Sequence, residues 1–181
     1  MMQEQELPVR GRLNAIYIFS FLTASLMAAT SILSLNYRDI VYPTDEIIIS
    51  TVTTDWANLI FGLPLLLISM VLASRNKLIG LLCWPAGLFY IAYVYTPYII
   101  SIPFNIFFLP YIFLVVLASY TLITLVAKID GEYVRNTLSG SVPYRFSSVV
   151  LIALALFNLI RHMVIIIGLH MSGSEMNGIE Q

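Results

Sequence analysis

Hydrophobic residues fill five long, nearly uninterrupted stretches of this chain, and polar residues are concentrated between them. The stretches cover residues 13–36, 55–74, 78–100, 104–127 and 146–170. A helix needs about 20 apolar residues to cross a hydrocarbon core about 30 Å thick, and each stretch is long enough. A strand of a membrane barrel would need only about 10 residues of alternating polarity. The pattern therefore predicts an all-α integral membrane protein, a bundle of five transmembrane helices in a single domain.

Composition supports this prediction and excludes other classes of protein. Of the 181 residues, 59% are hydrophobic and 10% are charged, compared with about 45–50% and about 25% in soluble domains. Nine Lys and Arg residues and a net charge of −1 do not supply the basic face that nucleic-acid binding requires. We therefore expect the lipid bilayer as the surrounding and no nucleic-acid partner.

The distribution of Lys and Arg predicts the orientation, because basic loop residues are retained on the cytoplasmic side. Seven of the nine lie in the first tail, the second-to-third loop and the fourth-to-fifth loop, whereas Arg38 alone lies on the opposite side. The ninth, Arg161, lies within the fifth stretch. We expect the N terminus inside and the C terminus outside, with 1–12 as a cytoplasmic tail and 171–181 as a disordered external tail.

Two connections between the stretches carry weaker signals. The outer segment 37–54 ends in the β-branched run Ile-Ile-Ile-Ser-Thr-Val-Thr-Thr. This run predicts either a short extended piece over the outer mouth or a structureless connector. The inner segment 129–145 mixes charges with Gly, Ser and Pro, which predicts a flexible loop.

The sequence contains no recognisable arrangement for catalysis or metal binding. It lacks a hydrolase elbow, paired intramembrane carboxylates and the glycine-rich phosphate loops. Cys83, in the third stretch, is expected to act as a small apolar residue. His162 and His170 are about 12 Å apart along one helix, too far to share an ion. We therefore expect no enzyme, no metal site and no cofactor.

Ionisable side chains inside a membrane span are costly and mark candidate sites. Arg161 lies inside the fifth stretch, and Asn158 shares its face at i−3. The arginine either extends its side chain to the external head groups or forms an ion pair with Asp55 at the outer start of the second span. Asp55 could equally cap that helix, accepting hydrogen bonds from its first N–H groups, and the two roles are compatible.

Other polar residues converge on the same outer half of the bundle. Residues spaced by three on the second and third spans share one face of each helix. Tyr95 and Tyr98 are expected instead in the aromatic belt at the level of the head groups. The sequence thus predicts an outward-facing pocket lined by Asp55, Asn58, Tyr90, Tyr93, Asn105, Asn158 and Arg161.

Two further patterns concern the packing of the helices. Ser20, Ala24 and Ala28 form a row of small residues in the first stretch. Such a row predicts close helix contact within this bundle, with a homo-oligomer contact as the alternative. Proline removes a backbone hydrogen bond, so kinks are predicted at Pro64, Pro85 and Pro110.

The middle of the chain, from Asp55 to about residue 123, resembles a group of small polytopic prokaryotic membrane proteins of uncharacterised function. The shared elements are Asp55, the run Gly-Leu-Pro-Leu-Leu-Leu at 62–67, the basic turn at 75–77, the Tyr-rich third span and Phe104-Asn105. The resemblance covers about three spans and implies a prokaryotic plasma membrane. It brings no activity, ligand or functional residue with it.

The residues of the predicted outward-facing pocket suggest the binding or passage of a small polar or anionic solute, with Arg161 as the anion contact and Asp55 as its charge partner or gate. Passage through five spans would require an oligomer, because one small bundle offers little room for alternating access. The alternative is a structural or accessory subunit whose polar residues join helices or dock a partner protein. An intramembrane enzyme ranks third, since no nucleophile, base and orienting group can be named together.

Overall fold

The computed structural model describes residues 7–37, 45–101 and 106–138, together with Ile152 and Leu156. The chain forms two compact units, Met1–Tyr133 and Val134–Gln181. The helices are α1 (Asn14–Asn36), α2 (Asp45–Ala57), α3 (Leu63–Ser74), α4 (Leu78–Ser101), α5 (Phe108–Lys128) and α6 (Gly131–Leu138). A π-helical turn, Asn58–Gly62, joins α2 to α3.

In the described part of the chain, four helices are long and apolar enough to cross a membrane. These are Asn14–Asn36, Thr51–Ser74, Leu78–Ile100 and Phe108–Lys128, the first to fourth spans. They confirm long apolar helices at the first four predicted spans, although the fourth helix begins four residues later than expected. The predicted fifth span and external tail lie outside the described residues, apart from Ile152 and Leu156. In the described residues, an all-helical bundle with four helices suited to crossing a membrane is therefore confirmed, whereas the count of five spans and the orientation of the termini stay predictions.

The second helix begins at Asp45, ten residues before the predicted start of its span. The β-branched run at 47–54 is thus helical, and both expectations for it, extended or structureless, are wrong. Strand preference is a weak tendency, and packing of this helix against the first span, with Thr51 and Asp55 buried, outweighs it. Asp55 also lies well inside α2, so the N-cap role is wrong. Likewise, residues 131–138 of the predicted flexible loop form a helix.

The four spans form a ring in which each packs against the next and the first packs against the fourth. Buried positions recur at alternating steps of three and four, the spacing that keeps one face of each helix toward its partners. On the third span this face carries large side chains: Leu81, Trp84, Leu88, Ile91, Tyr95 and Tyr98. The buried face of the first span carries Ile16 and Met27 but is otherwise small and polar: Ser20, Thr23, Ala24, Thr30, Ser31 and Ser34. Two members of the predicted row of small residues, Ser20 and Ala24, therefore pack inside the bundle, and Ala28 is half-buried.

Large side chains of the third span reach the first span across the centre of the ring. The indole Nε1 of Trp84 donates to Oγ of Ser20 at 2.8 Å, and both residues are fully buried. The Trp84 ring also packs against Tyr17, with ring centroids 4.5 Å apart. Small residues on one helix thus leave the room that aromatic residues on the other fill.

The π turn keeps the buried face of the second span continuous. Asn58, Gly62 and Leu66 are buried at successive steps of four residues. In a regular α-helix of 3.6 residues per turn, side chains at this spacing would point in gradually different directions. In the wider turn the backbone N–H of Leu63 donates to the carbonyl of Asn58, five residues earlier. Pro64 comes next and has no N–H to donate. Its missing bond therefore falls where the helical ladder is already displaced.

Replacing Gly80 tests the close approach of α3 and α4. A Cβ at this position would lie 2.5 Å from Cβ of Leu72 and closer still to the backbone nitrogen of Ala73. Gly80→Ala is therefore expected to lower the stability by about 1–3 kcal/mol through overpacking, measured by thermal unfolding in detergent. Gly131→Ala is the control, because a Cβ there meets nothing within 4 Å. Equal melting of both variants would contradict the close packing at this turn.

Candidate functional site

Buried polar side chains gather between the first, second and third spans, in the half of the bundle away from the N-terminal segment. We call this group the polar cluster. Tyr90 is half-buried, and every other member is at most 3% exposed. The members, joined by hydrogen bonds, are Thr30, Ser31, Ser34, Asp55, Asn58, Tyr90 and Tyr95.

Asp55 is the acidic member of the cluster and is 1% exposed. The hydroxyl of Ser34 on the first span donates to Oδ2 of Asp55 at 2.7 Å. The same hydroxyl lies 3.2 Å from the carbonyl of Ser31, so its proton is shared between a carboxyl and a backbone acceptor. This contact places the acid at the junction of the first and second spans.

The amide of Asn58 connects the second span to the third. The hydroxyl of Tyr90 donates to Oδ1 of Asn58 at 3.0 Å, and Nδ2 donates to the hydroxyl of Tyr95 at 3.2 Å. The amide thus uses both its acceptor and its donor. The Tyr95 hydroxyl also lies 3.1 Å from Oγ of Ser31 and 3.4 Å from Oγ1 of Thr30. Hydrogen bonds therefore run without interruption from the third span to the first.

Gly62 in the π turn gives Tyr90 room to reach this amide. A Cβ on Gly62 would lie 2.5 Å from Cε1 of the Tyr90 ring. Because glycine has no side chain, the ring can lie directly against the backbone of the second span. The ring hydroxyl then meets Asn58, one turn before Gly62. The local sequence of the π turn thus positions one member of the cluster.

Three tyrosine rings close the cluster on the side of the fourth span. Tyr95, Tyr98 and Tyr111 have mutual ring-centroid distances of 5.2–5.6 Å. The predicted belt position of Tyr95 and Tyr98 is wrong, because they are 0% and 6% exposed. Both continue the buried stripe of α4 through Ile91 at steps of three and four. Interior packing of the helix thus decides their position.

The predicted pocket residues have three different outcomes. Asp55, Asn58 and Tyr90 meet in the polar cluster. Three others lie outside the described residues: Asn105, Asn158 and Arg161. The seventh, Tyr93, is described but lies elsewhere. The ion pair between Arg161 and Asp55 therefore stays a prediction.

Tyr93 is the described member of the predicted pocket that does not join the polar cluster. It is 64% exposed on the outer surface of α4, and its ring stacks on Phe89 at a centroid distance of 6.3 Å. Tyr90 lies at the edge of the buried face, and a further three residues carry Tyr93 past that edge. The spacing of three therefore places Tyr90 beside the polar cluster and Tyr93 on the exposed surface of the same helix.

Sequence reasoning did not place four members in the site: Thr30, Ser31, Ser34 and Tyr95. Ser31 and Ser34 continue the three-and-four spacing that begins at Ser20, which marks them as buried but does not reveal a hydrogen-bond partner on another helix. The sequence spacing of Tyr95 from Trp84 and Ile91 marks it as buried in the same way. If the buried faces of the first and third spans are aligned against each other, the spacing predicts that these hydroxyls lie close together.

A double-mutant cycle tests whether the amide of Asn58 binds the Tyr95 hydroxyl. We expect Asn58→Ala and Tyr95→Phe to destabilise the protein non-additively, with a coupling of about 0.6 and at most about 2 kcal/mol, the range for hydrogen bonds between membrane helices. Thermal unfolding in detergent gives the coupling. Ser69→Ala is the matched control, because this buried hydroxyl of the same span bonds to Leu66 of its own helix at 2.8 Å. Full additivity would show that the two side chains do not interact.

The cluster offers hydroxyl, amide and carboxyl groups, which suit hydrogen bonding to a small polar group. Among the described residues, no group of three or more His, Cys, Asp or Glu side chains is placed to hold a metal ion. The chain matches no family model, no curated protein and no solved structure. The polar cluster is therefore the feature that bears on its function.

Proposed function

We propose that this integral membrane protein binds a small polar solute at the polar cluster, which is reached from the end of the bundle opposite the N-terminal segment. One observation carries the proposal: Asp55, a carboxylic acid within a span, is 1% exposed and hydrogen-bonded to another helix. Ionisable residues inside spans are rare and commonly mark a path or site for a solute. The predicted orientation, with this end outside a prokaryotic plasma membrane, belongs to the same proposal.

The energies of such groups favour a functional role for the acid. A charged residue at the centre of a span costs about 2.5–3.5 kcal/mol on insertion scales, less toward its ends. A hydrogen bond between membrane helices returns about 0.6 and at most about 2 kcal/mol. Asn58 already joins two helices with a neutral amide. Packing alone would therefore be served by neutral groups, and the carboxyl supports a second purpose.

The groups present indicate the kind of solute. Among the described members of the cluster, Asp55 carries the only carboxyl, and no basic side chain belongs to it. Hydroxyl and carboxyl oxygens accept hydrogen bonds from amines and hydroxyls, which favours a neutral or cationic solute. An anionic solute depends on Arg161, which lies outside the described residues.

The depth of Asp55 follows from its place in the second helix. It lies ten residues after Asp45, where α2 begins, or about 15 Å along the helix axis. A solute entering from that end would therefore pass about three helical turns. No catalytic step is part of the proposal.

The alternative is a structural or accessory subunit, and one observation favours it. The hydrogen bonds of the cluster join three spans, as polar contacts that stabilise a helix assembly would. On this alternative the cluster excludes water, and a partner membrane protein or a second copy binds elsewhere on the bundle. Access of water to the cluster therefore separates the two functions.

Thiol labelling measures this access. In a Cys83→Ser background, we expect Asn58→Cys to react with a membrane-impermeant methanethiosulfonate reagent added to the side opposite the N-terminal segment. Ser69→Cys is the matched control, since Ser69 is equally buried on the same span but outside the cluster, and it should stay unlabelled. The reaction rates in intact membranes, followed by mass shift, give the result.

The outcomes distinguish the two functions. Labelling of Asn58→Cys that is slowed at least tenfold by an excess of a candidate solute identifies a binding site. If neither cysteine reacts in a protein that assembles normally, the cluster is dry. Solute binding there is then rejected, and the accessory role takes its place.

A further inference from the structure

The end of the bundle where the chain enters the first span carries five of the described basic residues. Arg10 and Arg12 precede α1, Arg75 and Lys77 lie between α3 and α4, and Lys128 ends α5. All of them except Lys128 are exposed. Basic residues are common wherever a bundle meets anionic head groups. Their charge by itself therefore does not define a site, and a shaped cavity is needed as well.

A pocket of about 540 Å³ opens at this end. Its volume falls within the range of about 300–1,000 Å³ that is typical of small-molecule sites. One wall is apolar and the other carries a hydroxyl and an amide, so the pocket suits an amphipathic molecule. The two walls are Leu7, Val9 and Leu13 of the N-terminal segment and Ala73, Ser74 and Asn76 at the end of the second span.

The fourth span holds the N-terminal wall in place. The backbone N–H of Arg10 donates to the carbonyl of Lys128 at 2.8 Å, and that of Asp130 donates to the carbonyl of Pro8 at 2.9 Å. The ammonium of Lys128 donates to the carbonyl of Arg12 at 2.7 Å. Arg10 also forms an ion pair with Asp130 at 3.7 Å. Residues 7–13 are thus a fixed wall of the pocket, joined to a membrane span.

Basic residues adjoin the pocket on both walls. Two lining residues, Gly11 and Asn76, each have a basic neighbour on either side in the sequence. Both adopt positive φ angles, +88° and +56°, so the chain turns tightly at each wall. With Arg10 paired to an acid, the exposed charges beside the pocket are those of Arg12, Arg75 and Lys77.

We propose that this pocket binds the head group of an anionic glycerophospholipid such as phosphatidylglycerol. Arg12, Arg75 and Lys77 hold the phosphate, the hydroxyl and amide of the polar wall contact the glycerol, and the apolar wall contacts the upper acyl chains. A lipid fits better than free phosphate, because the pocket lies at the ends of the spans and four of its eight lining residues are apolar. The proposal is independent of the polar cluster.

Binding of short-chain lipids to the full chain in detergent tests the proposal. We expect dihexanoylphosphatidylglycerol to bind at least tenfold more tightly than dihexanoylphosphatidylcholine or inorganic phosphate, measured by thermophoresis. Replacing both Arg75→Gln and Lys77→Gln should weaken phosphatidylglycerol binding about 30-fold, because two charges beside the phosphate are lost. Arg135→Gln removes one basic residue whose sequence neighbours do not line the pocket, and as the control it should change the affinity less than threefold.

Each other outcome counts against the lipid. Equal affinity for the two lipids would show that the charge is not recognised, and equal affinity for phosphatidylglycerol and inorganic phosphate would make free phosphate the ligand. Both comparisons use the unaltered protein and do not depend on the folding of a variant. If the double variant does not fold, Arg12→Gln alone should weaken binding about fivefold, and an unchanged affinity would overturn the proposal.

Discussion

The amide of Asn58 determines how three helices meet. It accepts a hydrogen bond from Tyr90 and donates one to Tyr95, so one side chain of the second span binds two residues of the third. Tyr95 passes the connection on to Ser31 of the first span. In a bundle whose outer surface is apolar, these directional contacts select one alignment among the many that apolar packing would allow.

Most of the fold follows from patterns that are visible in the sequence. The length and polarity of the apolar stretches predict four spans correctly, since crossing a hydrocarbon core demands about 20 apolar residues whatever their order. The start of α2 is different: its β-branched residues favour strands only weakly, and packing against the first span decides their conformation. A contact between distant segments cannot be derived from local preference, and here it moves a boundary by ten residues.

The candidate site was predictable to the level of a helix face. Asp55 and Asn58 are polar within an apolar span, which is enough to single them out, and their spacing of three brings them together. Tyr93 and Tyr95 show the limit of this argument. They are two residues apart, yet Tyr93 is 64% exposed and Tyr95 is buried. Only the sequence spacing from Trp84 and Ile91, which continues the buried face through Tyr95, distinguishes the two. Polarity thus identifies a candidate residue, and the three-and-four spacing of the buried positions decides whether its side chain faces the interior or the surface.

The hydroxyls of the first span also bear on how the bundle is assembled. Thr23 and Thr30 donate to the carbonyls of Phe19 and Leu26, one turn earlier in their own helix. A helix that satisfies its hydroxyls internally can remain alone in lipid at little cost. During synthesis the first span precedes Trp84 and Tyr95, so the two threonine hydroxyls need no partner from a later helix. The hydroxyls of Ser20 and Ser31, by contrast, gain Trp84 and Tyr95 as partners only after the third span has joined the first.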